Sequence, residues 1–156
     1  MALEVIQGFT DALGANHADT LGAKANYAHK LQHQGKLQEA EDIYREVIQG
    51  FTAALGAKHS NTLMTKGALG NLLKNSGRMG ARPLLEEAAV GLAAALGAGH
   101  PHAQFYAGAL AWSGQEEGVS GVSAAEAAVA LAVARDNEAA QGPASSAHGS
   151  LAKKMN

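Results

Sequence analysis

Apolar residues recur along most of the chain three or four positions apart. In the clearest stretch they follow i, i+3, i+4, i+7 spacing, which is typical of a helix with one buried face: Leu37, Ala40, Tyr44, Val47, Ile48, Phe51 and Leu55. A thinner stripe precedes it at Leu21, Ala28 and Leu31. The pattern predicts an all-α protein with helices over residues 2–13, 18–34, 37–55, 60–76, 79–96 and 101–113.

The chain repeats its own sequence at a nearly constant offset. Residues 4–21 and 46–63 are identical at 14 of 18 positions, at an offset of 42, and the pentapeptide LGAKH that begins at Leu55 returns as LGAGH beginning at Leu96. Such self-similarity is typical of solenoids, whose helix pairs bury their apolar faces by stacking. We therefore predict an α-solenoid with an unpaired helix at 2–13, units at 14–55 and 56–96, and a degenerate third unit from residue 97.

The phrase LGxxH marks the boundary between units. Its glycines are expected to end one helix, and its histidines to begin the next: His17, His59 and His100. A second set of glycines recurs inside helices, at Gly8, Gly50 and Gly91. Because a mid-helix glycine costs about 1 kcal/mol relative to alanine, two interpretations stay open: inheritance with the repeat, or an approach of a neighbouring helix too close for a Cβ.

Composition narrows the classes of function. The 156 residues include 47% hydrophobic and 17% charged residues, no cysteine, and a net charge of 12 − 14 = −2. The charge balance gives no reason to expect nucleic acid or an anionic membrane as partner. Disulfides and cysteine-ligated metals are excluded. No apolar run approaches the ~18 residues of a membrane span, and the first residues do not follow a secretory signal pattern, so we expect a cytoplasmic protein.

The helix pairs resemble the tetratricopeptide repeat, in the variety found in kinesin light chains. The phrase LGxxH(P)xTL and the repeat offset of 42 carry this resemblance, together with signature positions in two units: Tyr27, Ala28, Leu31, Gly35, Ala40, Tyr44 and Val47, then Leu69, Gly70, Leu73, Gly77, Ala81, Leu85 and Ala88. In this family, small residues at the positions of Ala28 and Ala40, and of Gly70 and Ala81, let the two helices of a unit touch. A large residue, at the position of Tyr44 and Leu85, fills the space between them. The resemblance extends over about residues 1–118.

The resemblance implies a module that binds a protein or peptide in a concave groove lined by the first helix of each unit. The implied groove positions are Ala25, His29, Gln32 and His33, then Gly67, Asn71, Lys74 and Asn75, and finally Trp112 and Gln115. Amide and cationic side chains can bond a peptide backbone or a carboxylate. Because Lys74 is the only lysine or arginine among them, a strongly anionic ligand is not favoured. The alternative is a merely solvated helix face, and Trp112 fits a core position better than an exposed anchor.

Candidate chemistry is sparse. His29 and His33 have the i, i+4 spacing of a metal pair, but HKLQH lacks the glutamate of HExxH and a third ligand. There is no P-loop, and GVSGVS at residues 118–123 lacks the context of a nucleophile elbow. We therefore expect no catalytic residues, no metal and no cofactor, hence no enzyme.

Two further expectations concern the ends of the chain. Residues 119–140 are Ala-rich, and we predict that they form a degraded cap helix. We predict that residues 141–156 form a disordered tail. The unpaired first helix suggests an alternative to the binding module, in which the chain is a structural fragment of a longer array. That helix also offers a surface for self-association.

Overall fold

The computed structural model describes residues 1–116, with side chains through residue 111. This part of the chain is all-α and forms six helices, which confirms the predicted fold class. They are α1 (Ala2–Leu13), α2 (Ala18–His33), α3 (Leu37–Leu55), α4 (Ser60–Asn75), α5 (Ala81–Leu96) and α6 (Pro101–Glu116). The expectations for GVSGVS, residues 119–140 and residues 141–156 lie outside the described residues.

The helices stack in chain order. Each helix packs mainly on the one before and the one after it, and the first helices of successive units, α2, α4 and α6, also touch. This nearest-neighbour packing is that of a solenoid. The units bury their apolar faces in three successive clusters, represented by Phe51, by Leu31, Tyr44 and Leu69, and by Leu85.

Glycines explain where the observed helix ends differ from the predicted ones. The prediction that a helix begins at residue 79 is wrong, because Gly80 adopts φ 91° and α5 begins at Ala81. α2 and α4 each end one residue earlier than predicted, where Gly35 and Gly77 take positive φ. After Gly35, the backbone N–H of Lys36 donates to the carbonyl oxygen of Leu31, in the last turn of α2, at 3.0 Å. This hydrogen bond is the Schellman arrangement. α6 extends beyond its predicted end, to Glu116.

Small residues let the two helices of a unit touch, as the resemblance implies. Ala28 and Ala40 are completely buried between α2 and α3, beside Tyr44. In the next unit a Cβ built on Gly70 would lie 3.0 Å from Cγ of Leu85 and 3.1 Å from the carbonyl oxygen of Ala81. The helix backbones approach this closely because one partner has little or no side chain.

The mid-helix glycines divide between the two interpretations. A Cβ on Gly50 would lie 2.6 Å from Cδ2 of Leu21, and one on Gly91 would lie 2.7 Å from Cδ1 of Leu63. Both glycines therefore receive a leucine from the first helix of their unit. A Cβ on Gly8 would have no described atom within 4 Å, so close packing does not account for this glycine.

The boundary histidines are N-caps, which confirms their predicted place at helix starts. In each case Nδ1 accepts a hydrogen bond from the backbone N–H two residues later: 3.2 Å for His17, 3.2 Å for His59 and 3.3 Å for His100. The cap satisfies one of the N–H groups that a helix start leaves unpaired. Thr20 and Thr62 secure the preceding loop, since each hydroxyl donates to the carbonyl of the boundary glycine at 2.8 Å.

A buried carboxylate joins the two units. Glu41 on α3 accepts a hydrogen bond at 2.7 Å from Arg45 on the same helix and one at 2.5 Å from Arg78, which lies between α4 and α5. The hydrogen bond from Arg45 is the main reason that the pKa of Glu41 lies below its ordinary value; burial acts in the opposite direction, and Arg78 lowers the pKa further. The ionised form is thus stabilised by folding.

We expect Glu41→Gln to lower the free energy of unfolding by about 1–2 kcal/mol at pH 7, since hydrogen bonds to a charged group are lost. Because folding lowers the pKa of Glu41, its contribution is present above the ordinary carboxyl pKa and is lost as the pH falls through the folded-state value. Urea unfolding at pH 7 and pH 3 should therefore show a smaller acid-induced loss for the variant than for the wild type. Glu39→Gln, at an exposed position paired with Lys36, is the control; equal pH dependence of Glu41→Gln and wild type would contradict the prediction.

Candidate peptide-binding groove

A groove of about 920 Å³ crosses the first helices of the three units, and α1 borders one end of it. Side chains spaced three or four residues apart line it, so each helix contributes one face. From α2 and α4 these are Asp19, Gly22, Ala23, Asn26 and Lys30, then Asn61, Met64, Thr65 and Ala68; α6 adds His102 and Tyr106, and α1 adds Ala2, Val5 and Phe9.

Aromatic side chains form much of the apolar lining. Tyr44 and Phe51 from α3 are almost fully buried, and Tyr106 reaches across from α6. Small residues on the first helices, such as Gly22 and Ala23, leave room above them. A groove that combines an apolar floor and a few polar groups is suited to hold part of a peptide.

One polar atom beside this groove has no partner. Tyr44 is 2% exposed, and among the described residues its hydroxyl makes no hydrogen bond. Burial, with a smaller contribution from nearby Tyr106, raises the pKa of Tyr44 to about 12. The hydroxyl of Tyr106, by contrast, donates to the carbonyl oxygen of Met64 at 3.0 Å. A buried hydroxyl without a partner costs about 1–3 kcal/mol, so this hydroxyl lowers the stability of the packing around Tyr44.

The charges around the groove are balanced. Asp19 and Lys30 contribute one charge of each sign, and the remaining polar lining is largely neutral, with Asn26 and Asn61. A balanced lining gives no long-range preference for an anionic or a cationic ligand.

The structure places the predicted groove residues of α2 in different surroundings. Ala25 and His29 line the groove, and the rings of His29 and His33 meet edge to face with centroids 4.5 Å apart. His33 is exposed in the last turn of α2, and Gln32 is half-buried; neither lines the groove.

The predicted residues of α4 lie mostly beside a second, smaller depression. Asn71 and Lys74 line it, in a volume of about 520 Å³ that α6 completes with Gln104, Phe105, Gly108 and Ala109. Asn75 is exposed at the end of α4 and lines neither space. Gly67 does not face a ligand, because the ring of Tyr106 covers it at 2.5 Å from a built Cβ. The side chains of Trp112 and Gln115 lie outside the described residues.

Sequence reasoning missed the main lining of the groove. On α2 it chose Ala25, His29, Gln32 and His33, whereas the lining stripe also includes Asn26 and Lys30. A usable signal was present, because the lining positions 19, 22, 23 and 26 recur on α4 as 61, 64, 65 and 68, at the offset of the repeat. Tyr44 was recognised as a space-filling residue of the pair and not as part of the groove.

Other kinds of site have little support. In the part of the chain that the structure describes, no three His, Asp or Glu side chains cluster closely enough to hold a metal ion. No described helix combines the length and apolar character needed to cross a membrane.

Comparison with known proteins identifies the repeat. The family profile of the tetratricopeptide repeat matches residues 20–61, which include α2, α3 and the start of α4. The comparison with curated protein sequences gave no match. Repeats of this kind generally mediate protein–protein interaction, and they typically act as scaffolds without enzymatic activity. The match agrees with the stacked helix pairs, and residues 20–61 thus form a helical repeat of tetratricopeptide type.

Proposed function

We propose that this chain binds a protein or peptide partner in the groove across α2, α4 and α6, and that it does so without catalysis. The groove itself is the observation that carries the proposal: a space of about 920 Å³ with an apolar floor and a few polar side chains lies across the first helices. The side-chain amides of Asn26 and Asn61 can bond the backbone of a bound peptide. The apolar floor supplies surface for one or two side chains of the same peptide.

The finer assignment is a module like that of kinesin light chains, acting in the cytoplasm. The LGxxH phrase and the repeat offset of 42 support the likeness to kinesin light chains. His29, Gln32, His33, Asn71, Lys74, Asn75 and Trp112 remain proposed contacts, of which His29 borders the groove and Asn71 and Lys74 border the smaller depression. The partner is defined by shape and backbone recognition, since the lining carries balanced charge.

The groove is tested with peptides selected from a displayed random library against the wild-type chain. Ala23→Arg places a long side chain in the groove at a position outside the core clusters, and Ala95→Arg makes the same change at an exposed position on α5. We expect Ala23→Arg to weaken binding at least tenfold and Ala95→Arg to leave it unchanged. Tyr44→Phe should not lower stability, because it removes a buried hydroxyl that has no described partner.

Further variants show how far the site extends. Asn71→Ala with Lys74→Ala tests whether the smaller depression binds the same peptides. If no peptide is selected, or if Ala23→Arg binds the selected peptides as the wild type does, the groove proposal is wrong.

A second candidate is a structural fragment of a longer array with no binding function of its own. The apolar side chains that α1 exposes, among them Leu3 and Val5, favour this candidate. Size-exclusion chromatography and thermal circular dichroism distinguish the two: a monomer that unfolds cooperatively supports an independent module, and aggregation or non-cooperative unfolding supports a fragment. Self-association through α1, expected from the sequence, would produce a discrete dimer.

A further inference from the structure

The same hexapeptide occurs in two helices with opposite burial. EVIQGF is residues 4–9 in α1 and residues 46–51 in α3. In α3, Val47 is 0% and Phe51 3% exposed, whereas Val5 is 53% and Phe9 37% exposed in α1. We call Val5, Gly8 and Phe9 the α1 face. No described helix lies over Gly8 of this face, since a Cβ built there meets no atom within 4 Å.

In two other helices, α3 and α5, the face equivalent to the α1 face is covered by a neighbouring helix. On α3 the covering element is α2, whose Leu21 projects onto Gly50 and packs among Val47 and Phe51. On α5 it is α4, whose Leu63 projects onto Gly91 in the same way. The glycine thus forms a notch for a leucine on a neighbouring helix.

An ion pair fixes the register of both docked helices. Three residues after the leucine, Lys24 pairs with Glu46 of α3 at 2.6 Å, and Lys66 pairs with Glu87 of α5. These lysines are mostly buried. The equivalent glutamate on α1 is Glu4, which is exposed and lies 3.7 Å from the amino group of Met1. α1 therefore presents the notch, the apolar positions and the acidic group of a helix-docking face on which no described helix lies.

We propose that the α1 face binds an amphipathic helix of a protein partner that carries the pattern small-x-x-Leu-x-x-Lys-small. The two docked helices provide this pattern, as ADTLGAKA at residues 18–25 and SNTLMTKG at residues 60–67. The leucine of the partner enters the notch at Gly8, and its lysine pairs with Glu4. The α1 face shares Val5 and Phe9 with the groove lining, whereas Gly8 and Glu4 lie outside that lining. The test of this inference therefore uses Gly8 and Glu4.

A synthetic peptide with the sequence of residues 17–34 is the probe, since it carries the whole pattern. Titrated into the full-length chain, it should bind, and the amide NMR signals of α1 should shift. Substituting leucine at Gly8 fills the notch, and we expect binding to weaken about 10- to 100-fold, the effect of excluding one buried leucine. The substitution adds a side chain in open space and removes a helical glycine, so the melting temperature should stay equal or rise.

Charge reversal tests the register. A peptide with Lys24→Glu should bind the wild-type chain about 3- to 5-fold more weakly, and the Glu4→Lys chain should recover that loss, as expected for one ion pair. The Ala23→Arg chain should no longer bind the library peptides selected for the groove, because its groove is filled. The Gly8→Leu chain should still bind them. Failure of one proposal can therefore be distinguished from failure of the other.

Three outcomes would overturn the inference. The first is no binding of the 17–34 peptide, including the case in which the chain's own residues 117–156 cover the face. The second is equal binding by the wild-type and Gly8→Leu chains. The third is a wild-type dimer in sedimentation that Gly8→Leu converts to monomer, since a second copy would then be the occupant.

Discussion

Replacing Phe51 with alanine is expected to lower the free energy of unfolding by about 3–5 kcal/mol, as for other buried phenylalanines. Phe51 is 3% exposed and packs among Leu21 and Val47 beneath the groove, so its removal takes away these buried contacts. The same replacement at Phe9 should cost only about 1–2 kcal/mol, because the space it leaves is open to water. The two phenylalanines follow the same five residues in sequence, so the difference isolates the contribution of tertiary packing.

Urea unfolding followed by circular dichroism measures both values. If Phe51→Ala does not fold, Phe51→Leu provides a milder comparison, with Phe9→Leu as its partner. Equal losses at positions 9 and 51 would contradict the burial described for the two helices.

Substituting alanine for His17, His59 and His100 together is expected to cost about 3 kcal/mol, or about 1 kcal/mol for each cap. Each imidazole accepts a backbone N–H through Nδ1 at the start of a first helix, which requires the tautomer with its proton on Nε2. Alanine offers no acceptor, so one N–H group at the start of each of α2, α4 and α6 loses its partner.

The matched control is the triple substitution by asparagine, which keeps a side-chain acceptor at each helix start and is among the preferred N-cap residues. Its unfolding free energy should lie within about 1 kcal/mol of the wild type, near the scatter of surface substitutions. Thermal and urea unfolding of the two triple variants provide the comparison. If alanine and asparagine destabilise equally, the histidines stabilise these helix starts by a contact other than capping.

Most helix bounds could be predicted because their signals are local. The apolar stripe from Leu37 to Leu55 and the glycines of LGxxH specify start, face and end within one or two turns of chain. The largest error at a helix start, at α5, arose because Gly80 takes a left-handed conformation that a pattern of apolar residues does not report.

The groove was harder to predict, since its lining depends on how helices of different units are rotated against each other. Asn26 and His29 lie on the same helix, and the sequence pattern does not decide which polar residues face the next unit. Tyr106 illustrates the same limit: its ring covers Gly67 from the first helix of the following unit and excludes that position from ligand contact. The unpaired Tyr44 hydroxyl is likewise a result of packing between units.

The sequence by itself determined the helical repeat, its period and the places where most helices begin and end. Only the tertiary structure decided what the repeated segments do. EVIQGF is helical at both of its occurrences because helix formation depends on neighbours along the chain. It is buried at Phe51 and largely open at Val5 because burial depends on whether another helix lies across it. That dependence on neighbours distant in sequence turns one copy of the hexapeptide into core and leaves the other as a docking face.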